Sequence, residues 1–351
     1  MVERIGATRV VPLQCAPAKR PRISVRFPDY DFTRHRFEVR PGIGLHYLDE
    51  GPREGEVVVM LHGNPSWSYY WRHLVNGLRD RYRCIVPDHV GMGLSDKPDD
   101  GGGLRHPHGR PDANGRAPAY DYTLQSRVDD LQALLRHAGI DDATPVTLAV
   151  HDWGGMVGFG WALAHAAQVK RLVILNTAAF PLPAAKAMPW QIALGRDALF
   201  GSFIIRAFNA FSGGASRVGV ETKMPADVRR AYVAPYDNWA NRISTVRFMQ
   251  DIPLSPADRA WLLLEAAGRV LPSFADRPAF IGWGLKDFVF DRHFLDGFRK
   301  ALPDAQLMAF DDAGHYVLED KHAVLVPAIR AFLDAHPLTD AAGPIPTGVL
   351  R

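Results

Sequence analysis

The run Val146-Thr147-Leu148-Ala149-Val150-His151-Asp152-Trp153-Gly154-Gly155 holds a β-branched apolar strand, one reactive residue at a sharp turn, and a small-residue helix start. That is the pattern of a nucleophile elbow, with Asp152 where such turns usually carry Ser. A carboxylate needs no base to be nucleophilic at neutral pH. It suits attack on an electrophilic carbon bearing a leaving group, such as a halide, an epoxide or a strained lactone. Asp287, in Gly284-Leu285-Lys286-Asp287, and His315, in Gly314-His315-Tyr316, each follow a strand pattern further along the chain. Their order, nucleophile then acid then histidine, predicts an imidazole within reach of Asp152 and a carboxylate that fixes its tautomer. Either residue alone has an ordinary reading, Asp287 in a turn and His315 in packing. Asn64, in His62-Gly63-Asn64-Pro65, and Trp153 offer an amide donor and an indole donor, and neither can take a proton from the site. Their backbone N–H groups are placed to face developing negative charge. Two neutral donors beside a carboxylate nucleophile suit a departing anion.

The elements that must position these residues alternate between strand and helix. Strands are predicted at 37–40, 45–48, 57–61, 83–87, 146–150, 171–175, 279–283 and 306–310, the central ones as unbroken apolar runs of a buried parallel sheet. Helices are predicted at 70–78, 123–138 (capped by Thr123 and ended by Gly139), 155–167, 294–301 and 324–333. The alternation lapses once, between 180 and 271, in a helical, Pro-punctuated, aromatic-rich block. We therefore expect an α/β fold, a mainly parallel central sheet flanked by helices with an inserted helical cap. The expected division is a basic arm over 1–36, a core over 37–179 and 272–336, a cap over 180–271, and a flexible tail over 337–351. Candidate chemistry then falls at the carboxyl ends of strands, under the cap.

Composition narrows the class. The 351 residues are 47% hydrophobic and 23% charged, with a net charge of +3, as in a soluble globular protein. Arg4, Arg9, Lys19, Arg20, Arg22 and Arg26 concentrate in the arm, read as a solvated segment. No nucleic-acid-binding signature is present, so no nucleic-acid partner is expected. Cys15 and Cys84 are expected as free thiols in a reducing compartment. Neither a secretory signal nor a transmembrane run is apparent, which makes cytoplasmic the default. The Gly-, Pro- and His-rich stretch 99–118 reads as a mobile surface loop, whose His106 and His108 lack a third ligand for a metal.

His62-Gly63-Asn64-Pro65 with Trp71-Arg72, Gly91-Met92-Gly93-Leu94-Ser95-Asp96-Lys97-Pro98, and His151-Asp152-Trp153-Gly154-Gly155 resemble the haloalkane dehalogenase family of the α/β-hydrolase superfamily, from about residue 37 to 333. In one dehalogenase subfamily the acid is a Glu after the strand that precedes the cap. Asn176 stands there in this chain, and Asp287 is kept, which points to the third subfamily. Within it, Pro225-Ala226-Asp227-Val228-Arg229-Arg230-Ala231-Tyr232, Ala234-Pro235-Tyr236-Asp237-Asn238-Trp239, Ile252-Pro253-Leu254-Ser255-Pro256 and Phe310-Asp311-Asp312-Ala313 are similar to the β-lactone decarboxylases of bacterial long-chain olefin biosynthesis. The resemblance implies conversion of a cis-3,4-dialkyl β-lactone to a cis-alkene and carbon dioxide, without metal or organic cofactor. It also implies a β-lactone synthetase and a reductase as pathway partners. Asp152, His315 and Asp287 would be catalytic, and Asn64 and Trp153 would hold the leaving anion.

Other readings use the same residues. A dehalogenase would release halide and hydrolyse the alkyl ester on Asp152 with water activated by His315. Soluble epoxide hydrolases share the His-Asp-Trp-Gly-Gly elbow and use two cap tyrosines, for which Tyr232 and Tyr236 stand as candidates, although Asn64 departs from their pattern. A non-catalytic receptor would tolerate loss of a triad member, and none is missing. For the lactone, attack at the β-carbon and attack at the carbonyl both remain open. Phe200, Phe203, Phe208, Phe211, Phe248 and Met249 are candidates to line a tunnel for alkyl chains, or simply to hold the cap together.

Overall fold

A computed structural model describes residues 26–107, 110–111, 115 and 117–338. Most of the basic arm, Cys15, His108 and the tail beyond 338 lie outside the described residues. Eight strands form one sheet: β1 (His35–Arg40), β2 (Ile43–Glu50), β3 (Val57–Leu61), β4 (Arg83–Pro87), β5 (Val146–Asp152), β6 (Val169–Thr177), β7 (Ala279–Gly284) and β8 (Gln306–Phe310). Their spatial order is β1-β2-β4-β3-β5-β6-β7-β8. The hairpin β1–β2 and its junction with β4 are antiparallel, and every later pairing is parallel. The sheet is thus the mainly parallel one expected, and the central position of β3, β5 and β6 explains their unbroken apolar runs, since both faces are covered.

Alternation along the strands divides two core layers. Val57, Val59, Leu61, Leu148 and Val150 face α2 (Leu124–His137), α3 (Trp153–His165), α9 (Trp261–Val270) and α10 (Arg292–Ala301). Val58, Met60, Ala149 and Val173 face α1 (Arg72–Leu78) and α11 (Val317–Ala335). Phe27 and Tyr30, from the stretch read as an arm, are buried on this second layer against Trp67. Helix α11 begins seven residues before the sequence reading put it. Lys321 (φ −133°) interrupts it near its start, and Pro327 lies within it.

Between β6 and β7 run α4 (Trp190–Asp197), α5 (Leu199–Phe208), α6 (Ala210–Val218), α7 (Ala226–Val233), α8 (Ile243–Gln250) and α9. Helix α9 belongs to the core layer through Leu264 and Ala267, while α4, α5 and α8 share a separate small cluster around Ile192, Ile205, Val246 and Met249. The stretch read as a mobile surface loop is tied to this block. Asp100 pairs with Arg247 through Oδ1 to Nη2 (2.9 Å) and Oδ2 to Nε (2.5 Å), both side chains fully buried. Arg206 and Gln250 donate to the carbonyls of Gly103 and Leu104, each at 2.8 Å. Composition suggested mobility there because it does not reveal which of several acidic residues meets a buried arginine. Among the described residues no helix is long and apolar enough to cross a membrane.

Removing one partner of a buried pair leaves the other charge uncompensated. Asp100→Ala is expected to cost about 3–5 kcal/mol in urea unfolding, and an Asp100→Leu/Arg247→Met double variant should recover most of that loss.

Candidate active site

Asp152 ends β5 and caps α3 with φ 51° and ψ −127°, a conformation rare for a non-glycine residue. Such strain, of order 1–3 kcal/mol, persists only where the surroundings over-determine it. Here Thr177 Oγ1 donates to the Asp152 carbonyl. The two glycines after Trp153 let α3 start hard against the sheet. A Cβ on Gly154 would lie 2.0 Å from the Leu61 carbonyl oxygen, and one on Gly155 2.1 Å from Thr177 Oγ1. Gly63 is equally constrained, because a Cβ there would sit 1.9 Å from Asp152 Oδ1. The elbow throws the carboxylate into the space above the carboxyl ends of β3, β5 and β6.

The structure brings Asp152, His315 and Asp287 together. His315 Nδ1 is 2.8 Å from Asp287 Oδ2, and His315 Nε2 is 3.4 Å from Asp152 Oδ2. Asp287, at the turn after β7, also accepts the Val289 N–H at 2.8 Å and the Asn176 side-chain amide at 3.1 Å. Asn176 itself bridges to the Gly284 backbone in both directions. His151 Nε2 meets the His315 carbonyl at 2.9 Å and its ring stacks on Tyr70, so the nucleophile strand also fixes the histidine loop. Burial pushes the Asp152 carboxyl up to about 6, against the His315 charge and the N–H groups of Trp153 and Asn64, which favour the ionised form. Burial disfavours the His315 imidazolium too, but Asp287 and then Asp152 outweigh it and raise the imidazole above its usual range.

The donors divide their work differently from the sequence reading. The backbone N–H of Asn64 reaches Asp152 Oδ1 at 2.6 Å, and that of Trp153 also serves the carboxylate. The backbone N–H groups thus serve the Asp152 carboxylate itself, with the Asn64 N–H on Oδ1, while Oδ2 is the oxygen nearest His315. The Asn64 side chain donates one amide hydrogen to the Thr245 carbonyl on α8 at 2.9 Å. Trp153 is nearly buried and packs edge-on against Phe248, also on α8, at 5.1 Å. Both side-chain donors are thus seated by one helix of the inserted block. Nothing in the sequence ties α8 to Asn64, because the contact uses a backbone carbonyl.

A cavity of about 460 Å³ opens over Asp152, lined by Asn64, Trp153 and His315 below and by residues such as Met156, Phe211, Met249, Ile252 and Phe290 around it. Of the tunnel candidates, Phe211 and Met249 line it. Phe200, Phe203 and Phe208 face outward at 67%, 43% and 73% exposure, and Phe248 lies behind Trp153. Helical spacing gave their common face but not its direction. Tyr232 and Tyr236 bond Glu319 and the Ser66 carbonyl, away from the cavity, so neither is placed to protonate a ligand in it. Among the described residues no group of three or more His, Cys, Asp or Glu side chains could hold a metal ion.

Residues 56–322 match the model of the α/β-hydrolase fold family. The chain is 72% identical over 312 residues to the cis-3-alkyl-4-alkyloxetan-2-one decarboxylase of Xanthomonas campestris pv. campestris, covering 89% of this chain and 99% of that one. It is 50% identical over 303 residues to the protein of the same name from Shewanella oneidensis, covering 86% and 88%. The crystal structure of haloalkane dehalogenase DbeA from Bradyrhizobium elkani superposes with a TM-score of 0.73 at 23% identity, over 87% of this chain and 98% of that one, a likeness of fold.

Because Asp152 holds its proton more tightly folded (about 6) than unfolded (3.8), stability falls as pH rises from about 4 to about 6. Asp152→Asn removes that penalty. The variant is expected to melt above the parent at pH 8, and the gain should shrink to nothing by about pH 3, below both pKa values.

Proposed function

The chain belongs to the α/β-hydrolase family and is an enzyme on that fold, and from this premise we propose that it decarboxylates cis-3,4-dialkyl β-lactones to cis-alkenes and carbon dioxide. The observation that carries the reading is the division of the Asp152 carboxylate. Oδ1 accepts the Asn64 backbone N–H, Oδ2 lies nearest His315, and the residue lines a largely apolar cavity beside Asn64 and Trp153. The names of the two close relatives support the substrate class. We assign Asp152 as nucleophile, His315 and Asp287 as its supporting pair, and Asn64 and Trp153 as the seat of the leaving anion, with 180–271 as the cap that closes over them.

In this mechanism Oδ2 forms a bond to the β-carbon as the ring carbon–oxygen bond breaks, and the freed carboxylate is received by the Asn64 amide and the Trp153 indole. The bond to the carboxylate carbon then breaks, its electron pair becomes the alkene π bond, and Asp152 departs from the neighbouring carbon. Inversion followed by anti elimination is net syn, so a cis lactone gives a cis alkene. No proton or water is consumed. The Asp287-braced His315 charge favours Asp152 both as an ionised nucleophile and as a leaving group. Attack at the carbonyl is disfavoured, because the backbone N–H groups that would receive its oxyanion already serve the Asp152 carboxylate, that of Asn64 through Oδ1. By this reading the enzyme acts in long-chain olefin biosynthesis, after a β-lactone synthetase and a reductase.

Product analysis of a synthetic cis-β-lactone in oxygen-18 water tests the proposal. Alkene without label, lost in Asp152→Ala, is the expected outcome. A labelled hydroxy acid, or no lactone turnover alongside halide release from a bromoalkane, sinks it in favour of hydrolysis. The rate should also fall as pH drops below about 6, because only ionised Asp152 attacks.

A further inference from the structure

Arg127, on α2, is buried and poorly served by hydrogen bonds. Nη1 donates to the Tyr122 carbonyl at 2.7 Å and lies 3.7 Å from Asp251 Oδ2, while Nε and Nη2 meet no acceptor among the described residues. Asp251 Oδ2 is itself shared with the Leu124 N–H at 2.6 Å. The guanidinium's close neighbours are aromatic. It stands 3.6 Å from the centroid of Phe248 and 5.8 Å from that of Trp153, and these two rings meet edge to face. A buried cation is expensive unless its fork is filled. Arg247 shows the filled arrangement in this same chain, with both Asp100 oxygens on its guanidinium. Arg127 keeps its charge behind the rings that back the cavity, with two of its nitrogens, Nε and Nη2, unspent.

We propose that Arg127 is a positioning residue for the departing carboxylate, holding positive charge behind Trp153 so that the indole N–H presents to an anion. The proposal rests on the anion-releasing chemistry above. The guanidinium draws the π electrons of the two rings toward itself, which leaves the indole N–H a stronger donor on the cavity side. In a water-excluded site that charge is weakly screened. Asp251 acts as its counterweight. Burial pushes the Asp251 carboxyl up to about 7, and its contact with Arg127 is too long for a hydrogen bond.

Binding tests this separately from turnover. In an Asp152→Asn background, which removes the carboxylate that repels anions, decanoate and decanol are titrated by calorimetry at pH 8. Arg127→Met is expected to weaken decanoate about tenfold and leave decanol within about twofold. Arg127→Lys should recover most of the decanoate affinity, and Asp251→Asn should tighten decanoate severalfold. A structural role moves both probes together. Parallel weakening, no change in either probe, or failure of decanoate to bind the Asp152→Asn protein overturns the assignment. If Arg127→Met does not fold, Asp251→Asn decides: decanoate unchanged or weaker there overturns it as well. Failure of the alkene assay alone strikes the decarboxylase reading and leaves this charge-specific binding to stand or fall on its own.

Discussion

A carboxylate buried at the floor of an apolar cavity is drawn toward its protonated form, and keeping it ionised there has to oppose that pull. Burial at Asp152 stabilises the protonated form, and the surrounding structure works against that tendency. The elbow supplies the Trp153 N–H, the loop after β3 supplies the Asn64 N–H, and the loop after β8 supplies His315. Each group reaches the carboxylate only because a different strand end delivers it. The strained backbone at Asp152 and the glycines at 63, 154 and 155 follow from the same requirement. Bringing three strand ends to one side chain leaves no room for a Cβ where the backbones approach.

Helix α8 joins the upper and lower halves of the site. Within one stretch it presents the Thr245 carbonyl to Asn64, the Phe248 ring to Trp153, and Met249 to the cavity, while Arg247 anchors the loop through Asp100. A shift of α8 therefore alters the donors, the cavity wall and the loop anchor together. The proposed reaction would have to exclude water between its two bond-breaking steps, and under that reading the groups that seat the anion also form part of the seal.

Most of the frame was legible in the sequence, because it rests on local patterns. The apolar runs of β3, β5 and β6, the Thr123 cap and the residues at strand ends can all be read without knowing their neighbours. Asp152, His315 and Asp287 belong to this class, since each sits in a turn directly after a strand pattern. What escaped depends on partners distant in sequence. Asn64 and Thr245 are 181 residues apart and meet through a backbone carbonyl. Asp100 meets Arg247 across 147 residues, in a stretch whose composition suggests mobility. Phe200 and Phe211 share an apolar character, yet one faces outward and the other the cavity. Burial of that kind is decided by how α4, α5 and α6 lie against the core, which periodicity does not encode.

Asn176 holds one more lesson. It stands at the end of β6 where a related arrangement carries its acid, and its amide touches the same Asp287 oxygen that braces His315. Two strand ends thus offer alternative seats for a single negative charge, 3.1 Å apart through one hydrogen bond. A carboxylate on both would crowd two like charges around one imidazole, and a neutral group on both would leave the imidazole unbraced. The charge can be relocated but neither doubled nor omitted. Moving the charge from one seat to the other therefore takes both substitutions together.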